Sequence, residues 1–460
     1  MIPAIAGIQN NLVTSRVKFQ WASQGWIPAF AGMTMVSGAR RGCLPRHVMR
    51  NSPPDEAAQD VGSMNEETTV LAPTYDADIF TPDALRAPFD HYRAMRDLAP
   101  VVRLANPDVY ALPRFDDTRD ALRASNVLIS GQGVGFNDAF NKPGQPNVLQ
   151  SDGEQHRRMK AWILRPLLPA QLKQHRDMLK DLISKQIASL VDRGPFDAME
   201  GIARCLPLSA ISFLVGLPDE GRASMLKWAA ATFNALGPPH DDFVHDVALL
   251  RDAFAYLANT SRENVREGSW ARALFDAAGA GKLSEAEARG ALSAYVLPSL
   301  DTTILAKGSL LYDLATTPDV WRRLREDRSL VEKAVIEGVR HRSVLRWFSR
   351  VATADYRVED FVIPEGSRVM LMYASANRDD RHYPDPDRFD IDRDARDQLS
   401  WGVGEHTCAG ASLAKLEMEV MLEALLDHCE TIEAGEPEIG ANRGLYGFAK
   451  LPFELKSKKA

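Results

Sequence analysis

The sequence predicts a mainly α-helical protein with small β-sheets. Apolar residues recur at helical spacing in long runs through most of the chain after Pro88, whereas strand-like alternation is confined to short stretches. Nowhere do strands and helices alternate as βαβ units would require. The composition is that of a globular chain, with 460 residues of which 25% are charged and 45% hydrophobic. That length accommodates two or three ordinary domains or one large one, and composition does not choose between them. A net charge of −7 argues against a nucleic-acid binder. Cys43, Cys205, Cys408 and Cys429 show no spacing typical of a zinc site or a disulfide framework, which fits a reducing cytoplasm. No stretch approaches the roughly 20 apolar residues of a membrane span. The nearest, Cys205 to Leu217, is broken by Pro207 and serines and reads as a core helix.

Taken in order, residues 1–63 are unlike the rest. Ile2 to Gly7 (IPAIAG) and Ile27 to Gly32 (IPAFAG) nearly repeat, and Arg16, Lys18, Arg40, Arg41, Arg46 and Arg50 all precede the first acid, Asp55. A basic, acid-poor N-terminus is the pattern of a transit peptide. Its apolar residues do not share a helical face, however, and a short repeat is also what translated upstream sequence gives. The segment is read as a mis-set start with Met64 as the true first residue, disordered and without chemistry.

Pro88 to Arg96 has helical periodicity, Val101 to Leu112 alternates as a strand pair broken at Asn106-Pro107-Asp108, and Phe115 to Ser125 returns to helix. Gly131 to Leu149, rich in Gly, Asn and Pro, is a long loop of the kind that covers binding sites. Asp152 to Leu168 is a helix that projects His156 and Lys160 from one face. Helical stretches follow at Gln171 to Asp192, Glu200 to Leu217 and Gly221 to Leu236, stopped by Gly237-Pro238-Pro239. Longer ones run over Val244 to Arg266 and Ser284 to Thr317. Within the last, the apolar run Ala291 to Ala306 carries Asp301, Thr302 and Thr303, costly to bury unless bonded or used. Pro298 should kink this helix one turn earlier. Glu337 and Arg340 form an E-x-x-R pair, which on most helices is a surface ion pair worth little.

The chain turns on Trp401 to Gly410, WGVGEHTCAG, which runs into an amphipathic helical pattern from Ala411. Gly402, Gly404 and Gly410 let the backbone fold tightly around Cys408 and leave its sulfur uncovered. Just before a helix N-terminus, unpaired N–H groups and the helix dipole should lower the thiol pKa from about 8.5. A thiolate there is a nucleophile or a metal ligand. The nucleophile needs a base, for which His406 is the local candidate. The ligand needs a large flat cofactor, an apolar pocket and cations for the cofactor's carboxylates.

This stretch resembles the haem-binding loop of cytochromes P450, F-x-x-G-x-(H/R)-x-C-x-G, with Trp401 in place of Phe and every other fixed position matched. The resemblance extends in family order from about Phe80 to Leu455. It implies one large domain over residues 64–460 with the P450 fold, holding haem b, its iron bound by Cys408. His156, Lys160 (where the family has Arg), Arg350 and His406 would bind the haem propionates. Trp401 and Gly410 would line the haem, and Glu337 and Arg340 would be structural. Asp301 and Thr302 match the family's acid–alcohol pair, which moves protons during oxygen activation, while Pro298 and Ser299 replace its small residues.

The resemblance further implies a monooxygenase that hydroxylates or O-dealkylates a small-molecule substrate with O2 and two electrons. The electrons would come from a ferredoxin-type donor with its reductase, docking near Arg157, Arg158 and Lys415. A monomeric cytoplasmic protein is expected, with no membrane or nucleic-acid partner. The substrate pocket is placed at the 131–149 loop, Phe233 to Leu236, Ala294, Leu297, Trp347, Phe348 and Tyr446 to Phe448. Its order is similar to P450s that act on substituted aromatic acids, but no Arg occurs in the long loop, so a small aromatic or terpenoid substrate is expected. The rivals are a haem-thiolate peroxygenase, against which Asp301 and Thr302 weigh, and a haem-free Cys hydrolase or helical binding protein.

Overall fold

A computed structural model describes residues 71–142 and 146–457, so the repeat-bearing segment 1–63 and Met64 lie outside the described residues. The longer helices are α1 Phe89–Leu98, α2 Phe115–Arg123, α3 Gly153–Leu164, α4 Arg176–Ala188, α5 Cys205–Val215 and α6 Met225–Asn234. They continue as α7 Phe243–Ala258, α8 Trp270–Gly279, α9 Glu285–Val296, α10 Asp301–Thr316, α11 Pro318–Glu326, α12 Val331–His341 and α13 Ala411–His428. All the described residues fall within one compact unit, Glu66–Ala460.

The main sheet has six short strands: β1 Thr74–Tyr75, β2 Val102–Leu104, β3 Val109–Leu112, β4 Leu128–Ile129, β5 Phe348–Ala352 and β6 Arg368–Leu371, in spatial order β1-β2-β3-β6-β5-β4. The expected break at Asn106-Pro107-Asp108 is the turn of the antiparallel β2–β3 hairpin, because Pro107 cannot donate to a ladder. β5 pairs antiparallel with β6, Arg350 opposite Val369. A second sheet packs Pro452–Ser457 between Cys429–Ala434 and Phe196–Asp197.

Several expected helices are shorter than their periodicity. The 171–192 stretch becomes regular only at α4, 200–217 begins as a π-turn over Met199–Ala203, and 244–266 stops at Ala258. The 131–149 loop includes one helical turn, Asp138–Asn141, capped by the Asn137 side chain.

The largest departure is at Ser284 to Thr317. Pro298 does not merely kink this helix; it divides it into α9 and α10 with a turn between. Proline has no N–H to give, and its ring excludes the carbonyl one turn back. Leu297 N makes the last regular bond of the first half, to Ser293 O at 3.0 Å, and Ile304 N resumes with Leu300 O at 2.9 Å. Across the gap, hydroxyls substitute for amides. Ser299 Oγ donates to Tyr295 O at 2.6 Å, and Thr302 Oγ1 to Pro298 O at 2.6 Å. The start of α9 is a capping box between Ser284 and Glu287.

Glu337 and Arg340 do not form a surface pair. Both are buried, joined by two bonds of 2.7 Å. The guanidinium also reaches the carbonyls of Asn377 and Pro386 at 2.8 and 2.9 Å. Glu337 in turn accepts from Asp390 N at 2.9 Å. The pair therefore pins α12 to the long loop before residue 401. Removing one partner of such a pair costs about 3–5 kcal/mol, because a buried charge is left unmatched.

Candidate active site

The residues singled out around Cys408 gather on one cavity of about 330 Å3. The loop leading to the cysteine is shaped by Gly402 and Gly404, both at positive φ (64° and 77°), where a side chain would be strained. At Gly404 an added Cβ would also lie 3.0 Å from Leu122 O. Gly410 differs from expectation: its φ is −84°, and a Cβ would meet Cys408 Sγ at an ordinary 3.8 Å. Cys408 N donates to Trp401 O at 2.7 Å, closing the loop, and α13 begins at Ala411.

Cys408 opens onto the cavity but sits deep within the protein. The amides of Gly410 and Ala411 and the Lys160 ammonium pull its thiol pKa down, as the helix start suggested. Burial is the larger influence and pushes it up, so the expected net lowering is not found. A metal reverses this balance, because a coordinating thiol loses its proton outright.

Cations surround the same cavity. His156 Nδ1 meets Val148 O at 2.9 Å and Nε2 meets Glu405 O at 3.1 Å. Lys160 donates to Glu405 O and, at 2.8 Å, to Thr407 O. Arg350, buried on β5, donates to Ser349 O at 2.8 Å and keeps donors to spare beside Tyr373. Burial pushes the His406 pKa down, and the neighbouring Asp152 carboxylate partly offsets this.

Thr302 and Thr303 line the cavity, whereas Asp301 stands behind them and does not. Burial raises the Asp301 pKa from 3.8 to about 7, with Arg204 pulling weakly the other way. The Thr302 proton is already given to Pro298 O. Thr303 is buried, 8% exposed. Phe233, Ala294, Leu297 and Phe348 all line the cavity. Trp347 and Tyr446 to Phe448 do not. Trp347 stacks on Phe136 at 4.2 Å and donates to Arg443 O at 3.0 Å, Tyr446 packs on Phe89, and Phe448 on Tyr312. Their size made them attractive for the core rather than for the pocket.

Haem needs a flat apolar slot, one axial donor and cations for two carboxylates, and this donor set fits it. Among the described residues no cluster of three or more His, Cys, Asp and Glu side chains is placed to hold a metal ion.

The comparisons with known proteins agree. The cytochrome P450 family model matches residues 235–456. Cytochrome P450 CYP199A2 of Rhodopseudomonas palustris is 34% identical over 83% of this chain and 94% of its own. The chain belongs to the cytochrome P450 family. The β-dihydromenaquinone-9 ω-hydroxylase of Mycobacterium tuberculosis is 29% identical over 84% of this P450 and 79% of itself. Among solved structures, CYP108D1 of Novosphingobium aromaticivorans superposes with a TM-score of 0.74, at 24% identity, over 83% of this chain and 97% of that one. CYP109Q5 of Chondromyces apiculatus has a TM-score of 0.71 at 26% identity, over 84% and 99%. This P450 is thus an oxidoreductase of the monooxygenase family, whose cofactor is haem b, and the mainly helical P450 fold is established. The haem-free readings fall with that.

Polar groups on the cavity wall that sequence reading missed include Gln150, Thr232, Ser293 and Glu417. A hydroxyl on an apolar helical face was the available signal for Thr232 and Ser293. Nothing in the sequence marked Glu417, whose buried partner Lys307, 2.6 Å away, comes from another helix. The three cations proposed for partner docking are all paired. Arg157 binds Glu154 and Glu405, Arg158 binds Glu287, and Lys415 binds Glu332 and Glu419.

Proposed function

We propose that this P450 inserts one oxygen atom of O2 into a small apolar substrate, aromatic or terpenoid, by hydroxylation or O-dealkylation. Two electrons come from a ferredoxin-type donor and its reductase, and the protein works as a monomer in the cytoplasm. The observation that carries this reading is one cavity lined by a sulfur at a helix start, several cations and an alcohol pair, with aromatic walls.

The haem, when bound, supplies oxygen activation and electron storage. Cys408 would supply the thiolate that binds its iron. Arg350, His406, His156 and Lys160 would hold its two carboxylates, Arg350 most directly because it retains free donors. Trp401 and Gly410 border the same space, and the Glu337–Arg340 pair keeps the loop before them in place. Asp301, protonated below about pH 7, is suited to store a proton behind Thr302. Thr302 would pass it inward once its own bond to Pro298 O is exchanged. Phe233, Phe348, Ala294 and Leu297 exclude water and shape the substrate site.

A reduced carbon-monoxide difference spectrum tests the sulfur's role. The red-shifted band of thiolate ligation is expected for the purified holoenzyme and is lost in Cys408→Ser, together with turnover. A Ser variant that kept both would end the proposal. A peroxygenase is separated by its oxidant: turnover should require O2 and the electron donor, and peroxide alone should not sustain it.

A further inference from the structure

The wall formed by α6, α7, α9 and residues 146–150 carries no charged side chain among those lining the cavity. The cations come from elsewhere, on α3, β5, the 401–410 loop and just past α12, and Lys160, Arg342 and Arg350 are turned toward carbonyls or a carboxylate. What polarity the wall has lies in Thr232, Ser293, Asn147 and Gln150.

Both hydroxyls have spent their protons. Thr232 Oγ1 donates to Trp228 O at 2.7 Å, and Ser293 Oγ to Gly290 O at 2.7 Å. A hydroxyl has one proton and two lone pairs, so what remains for a ligand is acceptor capacity. The two residues are 8% and 6% exposed, so water competes poorly there. The amides close on each other. Gln150 N donates to Asn147 Oδ1 at 2.9 Å, and Gln150 Nε2 to Phe140 O at 3.0 Å. Their remaining N–H groups are neutral and do not offset the burial of a full negative charge. A carboxylate against this wall would trade its hydration for two oxygen atoms that can only repel it. A phenol, an alcohol or an amide N–H would instead find the partner it lacks.

We propose that the cavity selects an uncharged substrate bearing a hydrogen-bond donor, which Thr232 and Ser293 accept. This names the substrate class of the monooxygenase site and rests on that reading.

The test uses the holoenzyme, titrated by calorimetry and by haem absorbance with three ring-matched probes: 4-methoxyphenol (donor), 4-methylanisole (apolar) and 4-methoxybenzoate (anion). One added neutral hydrogen bond should make the phenol bind about three- to tenfold more tightly than the anisole, with the benzoate weakest. In Ser293→Ala the phenol-to-anisole preference should shrink. In Thr232→Val/Ser293→Ala it should approach one, while Thr232→Ser, which keeps the hydroxyl, restores it in the wild-type Ser293 background. Tightest binding by the benzoate, a preference unchanged in the double variant, or no binding by any probe would overturn the proposal. Calorimetry reads binding without oxidation. A protein that ranks the probes as expected but lacks the thiolate band loses the monooxygenase reading alone, and one with the band but the wrong ranking loses only this inference.

Discussion

Asp301 shows how one residue ties burial to chemistry. Its pKa is raised to about 7 from 3.8, because the ionised form would lose its hydration beneath α10. The folded protein therefore keeps this proton up to about pH 7, while the unfolded chain releases it near pH 4. Between those values the native state binds more protons, so this group's contribution falls as pH rises. Asp301→Asn should remove that loss, making the variant relatively more stable at pH 8 than at pH 5 in parallel thermal melts. The same proton is the proposed supply for Thr302, so wild-type turnover should decline above about pH 7. In Asp301→Asn, turnover should drop by about 10²-fold and the inflection should disappear. A variant with full activity and the same pH profile would remove Asp301 from the mechanism. That Cys408 and Thr302 border one cavity was legible because motif spacing survives in linear sequence. The spent proton of Thr302 was not, since it depends on the Pro298 carbonyl left open by the break.

At the scale of elements, the α9–turn–α10 break and the loop beside it form the working wall. Pro298 marked a disturbance in the sequence, but whether a proline kinks or divides a helix depends on who satisfies the orphaned carbonyls. Here the side chains of Ser299 and Thr302 do so, which sequence periodicity cannot reveal. Gly290 was equally silent. Its missing Cβ would lie 2.0 Å from Pro146 O, a backbone contact that no rotamer can relieve. Gly290→Ala should push residues 146–150 outward, costing about 1–3 kcal/mol and weakening substrate binding. Denaturant melts and probe titrations on the same preparation check both effects. Trp347 and Tyr446 were misplaced for a related reason: bulk suits a core as well as a pocket, and only packing separates the two.

At the scale of the molecule, buried ion pairs hold separate helices to one another. The mainly helical class and the order of motifs were readable from sequence, because period and spacing are local. Lys307 on α10 and Glu417 on α13 were not, since 110 residues separate them, yet they meet at 2.6 Å with side-chain exposures of 0% and 3%. Lys307→Met strands the carboxylate and should cost about 3–5 kcal/mol in chemical denaturation, while Lys307→Met/Glu417→Met should recover most of it. Equal losses in the single and double variants would show that a stranded carboxylate is not what costs the single variant its stability.

Arg158 belongs to this network in an unusual way. The carboxylate it grips, Glu287, is also the one that caps the first turn of α9. Any visiting acidic protein that captured Arg158 would leave the cap to stand alone, loosening the helix that carries Ser293. Reciprocity then requires that a molecule seated against Ser293 alter the grip of the visitor outside. Were the proposed electron donor to dock at Arg158, its arrival and the seating of substrate would be joined through that one carboxylate.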